Sequence, residues 1–271
     1  MTKFQMEMLE IEGCCDSNQR PLFICLKSIK GGLDVIELYS CKLPASRENA
    51  DIDNLLVHVS KERQSRLKRF VKTDDAYRSL IGDLLVRFAL KERYGSMDRE
   101  LRIQTNEYGK PFLCDFPSFH YNISHSGEYV VCVVHDDAVG VDIEYIGPFD
   151  LPLAKVLFTK EEYQYVLNDR EGGLGAFYDI WTLKESYVKA VGEGLSMPLQ
   201  GFSMKKCSNG SIQITDMETE GQIRDYICRQ YTIDNHYCLS VCAHHANANQ
   251  FRNEPTCVTF QDVCESLNVH S

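Results

Sequence analysis

Hydrophobic residues follow two rhythms along this chain. Between Thr73 and Tyr94, Ala76, Leu80, Leu84 and Phe88, joined by Ile81 and Leu85, recur at the spacing of a helix with one apolar face. Thr73 is placed to cap the first free amides, Asp74 and Asp75 suit the helix dipole, and Tyr94-Gly95 marks the stop. Residues 129–134, Tyr-Val-Val-Cys-Val-Val, are instead an unbroken apolar run of strand length. A turn at His135-Asp136-Asp137 follows, and then an alternating stretch, Val139-Gly140-Val141-Asp142-Ile143-Glu144. Farther on, Phe177, Ile180, Trp181, Lys184, Val188 and Val191 form a second helical stripe within a helix over 176–191.

Weaker signals fill the rest. Two strand-like runs in 21–44 flank a turn at Gly31-Gly32, and a helix spans 53–70. Residues 101–113 read as strand, 159–168 as helix, 171–175 as a Gly-rich loop, and 200–215 and 225–243 as further strands. The simplest arrangement is α+β: two α/β halves, each a small antiparallel sheet packed with helices, joined near residue 139. On that reading 1–20 is a leader of uncertain order, 21–138 and 139–245 are the halves, and 246–271 is a weakly structured tail.

The chain has 271 residues, 44% of them hydrophobic, enough for one large core or two modest ones. No apolar run reaches the roughly 20 residues of a membrane helix, and the N-terminus lacks a signal peptide's hydrophobic centre, so a cytoplasmic protein is expected. Most of the twelve cysteines sit singly in apolar segments and read as small buried hydrophobes. Cys238, Cys242, His244 and His245 form the one cluster resembling a zinc site, although no second ligand pair accompanies them. A net charge of −10 speaks against broad nucleic-acid binding. The basic run 61–72 is the local exception, either a solvated helix face or a grip for a compact polyanion.

Period 2 places Gly140, Asp142 and Glu144 on one face of their strand, the two carboxylates about 6.6 Å apart along it. They read either as the outward face of an edge strand or as ligands for a hard cation such as magnesium. Gly140 would leave that face bare for a ligand to approach the backbone. On the 176–191 helix, Glu185 and Lys189 are four residues apart and so stacked, with Lys184 beside them. They form either a surface ion pair or a third carboxylate with phosphate partners.

In order and spacing, KRFVKTDDAYRSLIGDLLVR, EYGKPFL, YNISHSG, GVDIE and WTLKESYVKAVGEGLSMPL together resemble the 4′-phosphopantetheinyl transferases, specifically the surfactin-synthetase-activating (Sfp) type. The likeness runs from about residue 55 to 245. It implies transfer of 4′-phosphopantetheine from coenzyme A to a serine of an apo acyl or peptidyl carrier protein, releasing 3′,5′-ADP. It also implies one monomeric chain with two pseudo-symmetric halves and the active site between them.

By position, the resemblance makes Asp142, Glu144 and Glu185 ligands of Mg²⁺, with Mn²⁺ the alternative. Lys184 and Lys189 fall beside the diphosphate, Ser124 and His125 match a Ser-His phosphate contact, and Tyr108, Gly109 and Lys110 lie along the adenine. Ser79 matches a hydroxyl at the nucleotide, while Arg63 and Arg66 stand where relatives carry lysines for the 3′-phosphate. Glu185, a metal-bound water or Glu162 is the base for the serine proton, with Lys189 and His125 assisting. The segment 145–158, with Ile146, Phe149, Leu151, Leu153, Val156 and Leu157, offers an apolar side to the carrier. The alternative is a coenzyme A or carrier-binding module that does not turn over.

Overall fold

The computed structural model describes residues 9–15, 21–24, 35–47, 55–56, 61–67, 69–95, 101–169 and 173–268. The Gly31-Gly32 turn, parts of the 53–70 helix and residues 171–172 of the Gly-rich loop lie outside the described residues. The chain is α+β. A small hairpin, β1 (Leu9–Cys15) with β2 (Pro21–Ile24), comes first. The N-terminal helices are α1 (Lys61–Leu67) and the long α2 (Thr73–Tyr94). A four-stranded sheet takes β3 (Glu37–Lys42), β6 (His120–Ser126), β7 (Tyr129–His135) and the late strand β14 (Thr256–Val258), in the order β14-β3-β7-β6. Between α2 and β6 lies a short hairpin of β4 (Ile103–Thr105) and β5 (Pro111–Leu113).

The C-terminal sheet, in the order β12-β13-β8, uses β8 (Val139–Tyr145), β12 (Tyr226–Tyr231) and β13 (Tyr237–His244). Helices α3 (Leu151–Leu157), α4 (Lys160–Leu167) and α5 (Leu174–Val191) follow β8. After them come β9 (Phe202–Lys206), β10 (Ile212–Asp216) and β11 (Gln222–Ile223), paired antiparallel as a separate small sheet. No helix among the described residues is long and apolar enough to cross a membrane.

The unbroken apolar run of β7 follows from burial on both faces. Val130, Cys132 and Val134 join Leu80, Leu84 and Phe88 of α2 in one core. Val131 and Val133 meet Val139, Val141 and Ile143 of β8 in a second core between the two sheets. Polar residues on either side would have to be buried at a cost, so none appears. The far face of β8 receives α5, which gives four layers: α2, sheet, sheet, α5. A Cβ on Gly140 would come within 2.2 Å of the Ser186 carbonyl and 2.4 Å of the Ala190 amide. Gly140 therefore does not leave the face bare for a ligand, as the alternation suggests; it lets the α5 backbone press onto the strand.

Two further expectations change. Lys72, not Thr73, takes the N-cap position of α2, and its side chain makes no capping bond. Residues 246–268 of the tail are built into the fold: β14 pairs in parallel with β3, and α6 (Phe260–Ser266) buries Val263 and Cys264 against α2. A capping box of Thr259 and Asp262 starts that helix.

Candidate active site

β6 and β8 lie side by side as the edge strands of their sheets, and side chains link them. Asn122 Oδ1 accepts from the Val141 amide at 3.0 Å, Ser124 Oγ from Ile143 at 3.3 Å, and Ser126 Oγ from Tyr145 at 3.0 Å. Alternate side chains of one edge thus satisfy alternate amides of the other, which an unpaired edge would leave open. The two serines then hand a hydrogen bond onward: Ser124 donates to Asp142 Oδ1 at 3.0 Å and Ser126 to Glu144 Oε2 at 2.9 Å. Both carboxylates are fixed on the α5 side of the strand. Asn122 and Ser126 escape the sequence reading, although the alternation of polar residues in Tyr-Asn-Ile-Ser-His-Ser marks them.

Helix α5 brings Glu185 and Lys189 to the same place. Lys189 Nζ does not turn to Glu185; it reaches Asp142 Oδ1 at 2.5 Å and Ser124 Oγ at 3.2 Å. Burial pushes the Asp142 carboxyl up, against the pull of Lys189 and Ser124. Burial and the negative charge of Asp142 do the same to Glu144 and Glu185, and the last two also repel each other. Asp142 Oδ2 is buried and has no hydrogen-bond partner. Such an atom costs free energy unless something electropositive meets it. Three hard carboxylate donors, mutually repelling and with one orphaned oxygen, fit a small divalent cation.

Of the three acids, Glu185 opens onto a cleft of about 610 Å³. Glu185, Lys189 and Asn122 line one part of it, and Tyr108, Gly109 and Lys110 another. Asn106 Oδ1 accepts from the Tyr108 and Lys110 amides, and its Nδ2 donates to the Gly192 carbonyl, so the β4–β5 turn is tied to the end of α5. Lys110 Nζ donates to the carbonyls of Ala190 at 2.8 Å and Val139 at 3.2 Å, and burial lowers its pKa to about 8. It caps α5 more than it offers charge to the cleft. Val156, Leu195 and Met197 form an apolar lip, with Val156 and Leu195 exposed.

The remaining candidates divide into three groups. His125 is exposed near the end of β6, where desolvation, Arg78 and Lys189 lower its pKa. Arg63 donates from Nε to Asp83 at 2.5 Å and from its terminal nitrogen to Ser79 at 2.9 Å; Arg66 is exposed nearby, and Arg63 and Arg66 both act on the half-buried Asp83 carboxyl. This arginine cluster does not line the 610 Å³ cleft. Lys184 and Glu162 are not brought to the acids at all. Lys184, with no exposed surface, bonds both Glu162 oxygens at 2.8 and 2.9 Å and the Phe202 carbonyl at 2.7 Å. Glu162 also accepts from the Met204 and Thr159 amides. That buried pair joins α4, α5 and β9, and the reason Lys184 departs from a diphosphate role is its place in the apolar stripe of α5.

Two family models match the chain. One, described as the 4′-phosphopantetheinyl transferase superfamily, covers residues 138–242; the other, described as 4′-phosphopantetheinyl transferase, N-terminal, covers 46–136. The 4′-phosphopantetheinyl transferase Sfp of Bacillus subtilis (strain 168) is 33% identical over 231 residues, 84% of this chain and 100% of that protein. The 4′-phosphopantetheinyl transferase gsp of Aneurinibacillus migulanus is 39% identical over 173 residues, 64% of this chain and 72% of its own. The L-aminoadipate-semialdehyde dehydrogenase-phosphopantetheinyl transferase of Mus musculus is 28% identical over 228 residues, 75% and 72% of the two chains.

Proposed function

The chain belongs to the 4′-phosphopantetheinyl transferase family, and from that premise we propose that the cleft beside Asp142, Glu144 and Glu185 is where it moves 4′-phosphopantetheine from coenzyme A to a serine of an apo acyl or peptidyl carrier protein. The observation that supports this placement is the buried, partnerless Asp142 Oδ2 beside Glu144 and Glu185, whose carboxyls are pushed up by burial and by the Asp142 charge. Asp142, Glu144 and Glu185 would hold Mg²⁺, with Mn²⁺ the alternative, and the ion when bound supplies positive charge to the diphosphate oxygens of coenzyme A. Lys189, its side chain 28% exposed, extends from Asp142 toward the cleft and donates to the same diphosphate. His125 would add a donor at the phosphate. Tyr108, Gly109 and Lys110 give the adenine a wall, and Arg63, Arg66 and Ser79 receive the 3′-phosphate, Asp83 keeping Arg63 in place.

In the transfer, the carrier serine Oγ forms a bond to the phosphorus that bears pantetheine. The P–O bond to the adenylate half breaks, and 3′,5′-ADP leaves with the electron pair. The serine proton passes to Glu185, the one of the three acids that lines the cleft. Glu162 is a poorer base here, being 2% exposed with both oxygens engaged. Both sheets contribute to the one site, so the reading is of a chain acting as a monomer with its halves meeting near residue 139. The exposed Leu151, Leu153 and Val156 of α3 give the carrier an apolar landing beside the cleft. Mass spectrometry of an apo carrier incubated with coenzyme A, magnesium and the protein tests this. The carrier should gain one phosphopantetheine, and an unchanged carrier mass across acyl and peptidyl carriers, with coenzyme A bound, would favour a binding module instead.

A further inference from the structure

At the end of the molecule where β7 turns into β8, three metal-ligating side chains converge that the transferase site does not use. Asp137 Oδ2 lies 3.0 Å from His244 Nδ1 and 3.2 Å from His245 Nδ1, and the three ligand atoms are all within 4.8 Å of one another. Successive strand residues point to opposite faces, so adjacent histidines would ordinarily diverge. Here β13 ends at His244, and His245 adopts the left-handed backbone conformation, φ 47°, which turns its ring back onto the first. The two imidazole centroids are 3.6 Å apart. A residue other than glycine, asparagine or aspartate takes that conformation at a cost of about 1–2 kcal/mol.

The frame around the three side chains is fixed by backbone bonds. The His244 amide donates to the Ala138 carbonyl at 2.8 Å, and the His245 amide to the Asp225 carbonyl at 2.7 Å. The Ala138 amide occupies Asp137 Oδ1 at 2.6 Å, which leaves Oδ2 as the oxygen aimed at both rings. The thiols with which the sequence groups these histidines are elsewhere: Cys242 is fully buried in the core under α5, and Cys238 faces Asp179.

We propose that Asp137, His244 and His245 form a second metal site, selective for a borderline divalent cation of the Zn²⁺ class. Ligand atoms around tetrahedral zinc at about 2.0–2.1 Å are separated by about 3.4 Å; the two Asp137–histidine spacings, 3.0 and 3.2 Å, lie within a few tenths of an ångström of that, and the third is within 4.8 Å. Two imidazole nitrogens and one carboxylate oxygen suit zinc, cobalt or nickel and are poor ligands for magnesium, which keeps this site apart from the all-carboxylate one. His245 is exposed, so the fourth position is open to water. An ion there would tie the β7–β8 turn, at Asp137 five residues before Asp142, to the end of β13.

The test is zinc binding to the full chain by equilibrium dialysis in excess magnesium, with the visible spectrum of the Co²⁺-substituted form as a geometric readout. One zinc per chain is expected. His245→Asn, which tolerates the left-handed conformation, and Asp137→Asn should each weaken it by about tenfold or more, while Glu185→Gln leaves it unchanged. Magnesium-dependent transfer should be the same in the His245 and Asp137 variants as in the native chain. The proposal is overturned if the native chain takes up no zinc, if both variants bind like the native chain, or if Glu185→Gln alone removes the ion. The first two outcomes leave a hydrogen-bonded Asp-His-His cluster only, and the third places zinc at the carboxylates.

Discussion

Replacing Asp142 with asparagine separates the cost of the carboxylate cluster from its use. The side chain keeps its shape and an oxygen for Ser124 and Lys189, but it loses the charge that Glu144 and Glu185 repel and the oxygen that has no partner. The Asp142 carboxyl sits above its ordinary pKa because burial outweighs Lys189. A group whose folded pKa is raised stabilises the fold below its unfolded pKa, about 3.9, and loses that contribution as pH rises through the folded value. In metal-free solution at neutral pH, Asp142→Asn should therefore be at least as stable as the native chain, and its advantage should shrink as pH falls toward 4. Magnesium reverses the order. A ligand at 100 times its Kd stabilises by about 2.7 kcal/mol, which in a chain of this size raises Tm by about 5–10 °C. The native chain should show that rise and the variant almost none, with transfer abolished. Thermal unfolding with EDTA or with magnesium, from pH 4 to 8, reads both effects. A metal-free Tm well below native, or a full magnesium response in the variant, would refute the assignment of Asp142 as a cation ligand.

Three other outcomes follow from the geometry. Glu162→Gln or Lys184→Met should each destabilise the fold by about 3–5 kcal/mol in urea, and the double replacement should recover much of it, because a lone buried charge costs more than none; native stability with transfer lost would make Glu162 a catalytic group instead. Ser126→Ala should weaken magnesium binding about tenfold while leaving KM for coenzyme A near native, since Ser126 holds Glu144 and touches neither ligand in the proposed site; unchanged magnesium dependence would count against that role. Arg63→Ala combined with Arg66→Ala should raise KM for coenzyme A far more than for its 3′-dephospho form, and equal rises would show that these arginines do not read that phosphate.

How much of this was legible depends on whether a residue's environment is set by its own stretch of chain. The apolar run of β7 and the alternation of β8 each report which faces are buried, and the two cores confirm them. Period 2 also placed Asp142 and Glu144 together, but it cannot say what covers a face, so Gly140 looked open when α5 lies against it. Lys184 carries a sharper lesson. Its position in the stripe with Ile180, Trp181 and Val188 already put it on the inward side of α5, yet its neighbour Glu185 drew it toward phosphate chemistry. One residue along a helix is a rotation of about 100°, enough to take Lys184 into the core beside Glu162 while Glu185 lines the cleft.

The parts that stayed hidden depend on contacts distant in sequence. β14 pairs with a strand more than two hundred residues earlier, so nothing local announces it, although Thr259 and Asp262 hold the spacing of a helix start. Asp137 meets His244 and His245 only because β13 runs back beside β8, with Ala243 opposite Val139. The same pairing sets Ser240 opposite Asp142, where it bonds Thr182 and lets α5 settle at the depth that delivers Glu185 and Lys189. One register therefore governs both clusters. A slip of a single residue between β8 and β13 would turn every side chain of one strand to its other face, exchanging the acids for the valines of the inter-sheet core. The buried valines hold that register, which is how an apolar pattern with no chemistry of its own fixes where three acids meet.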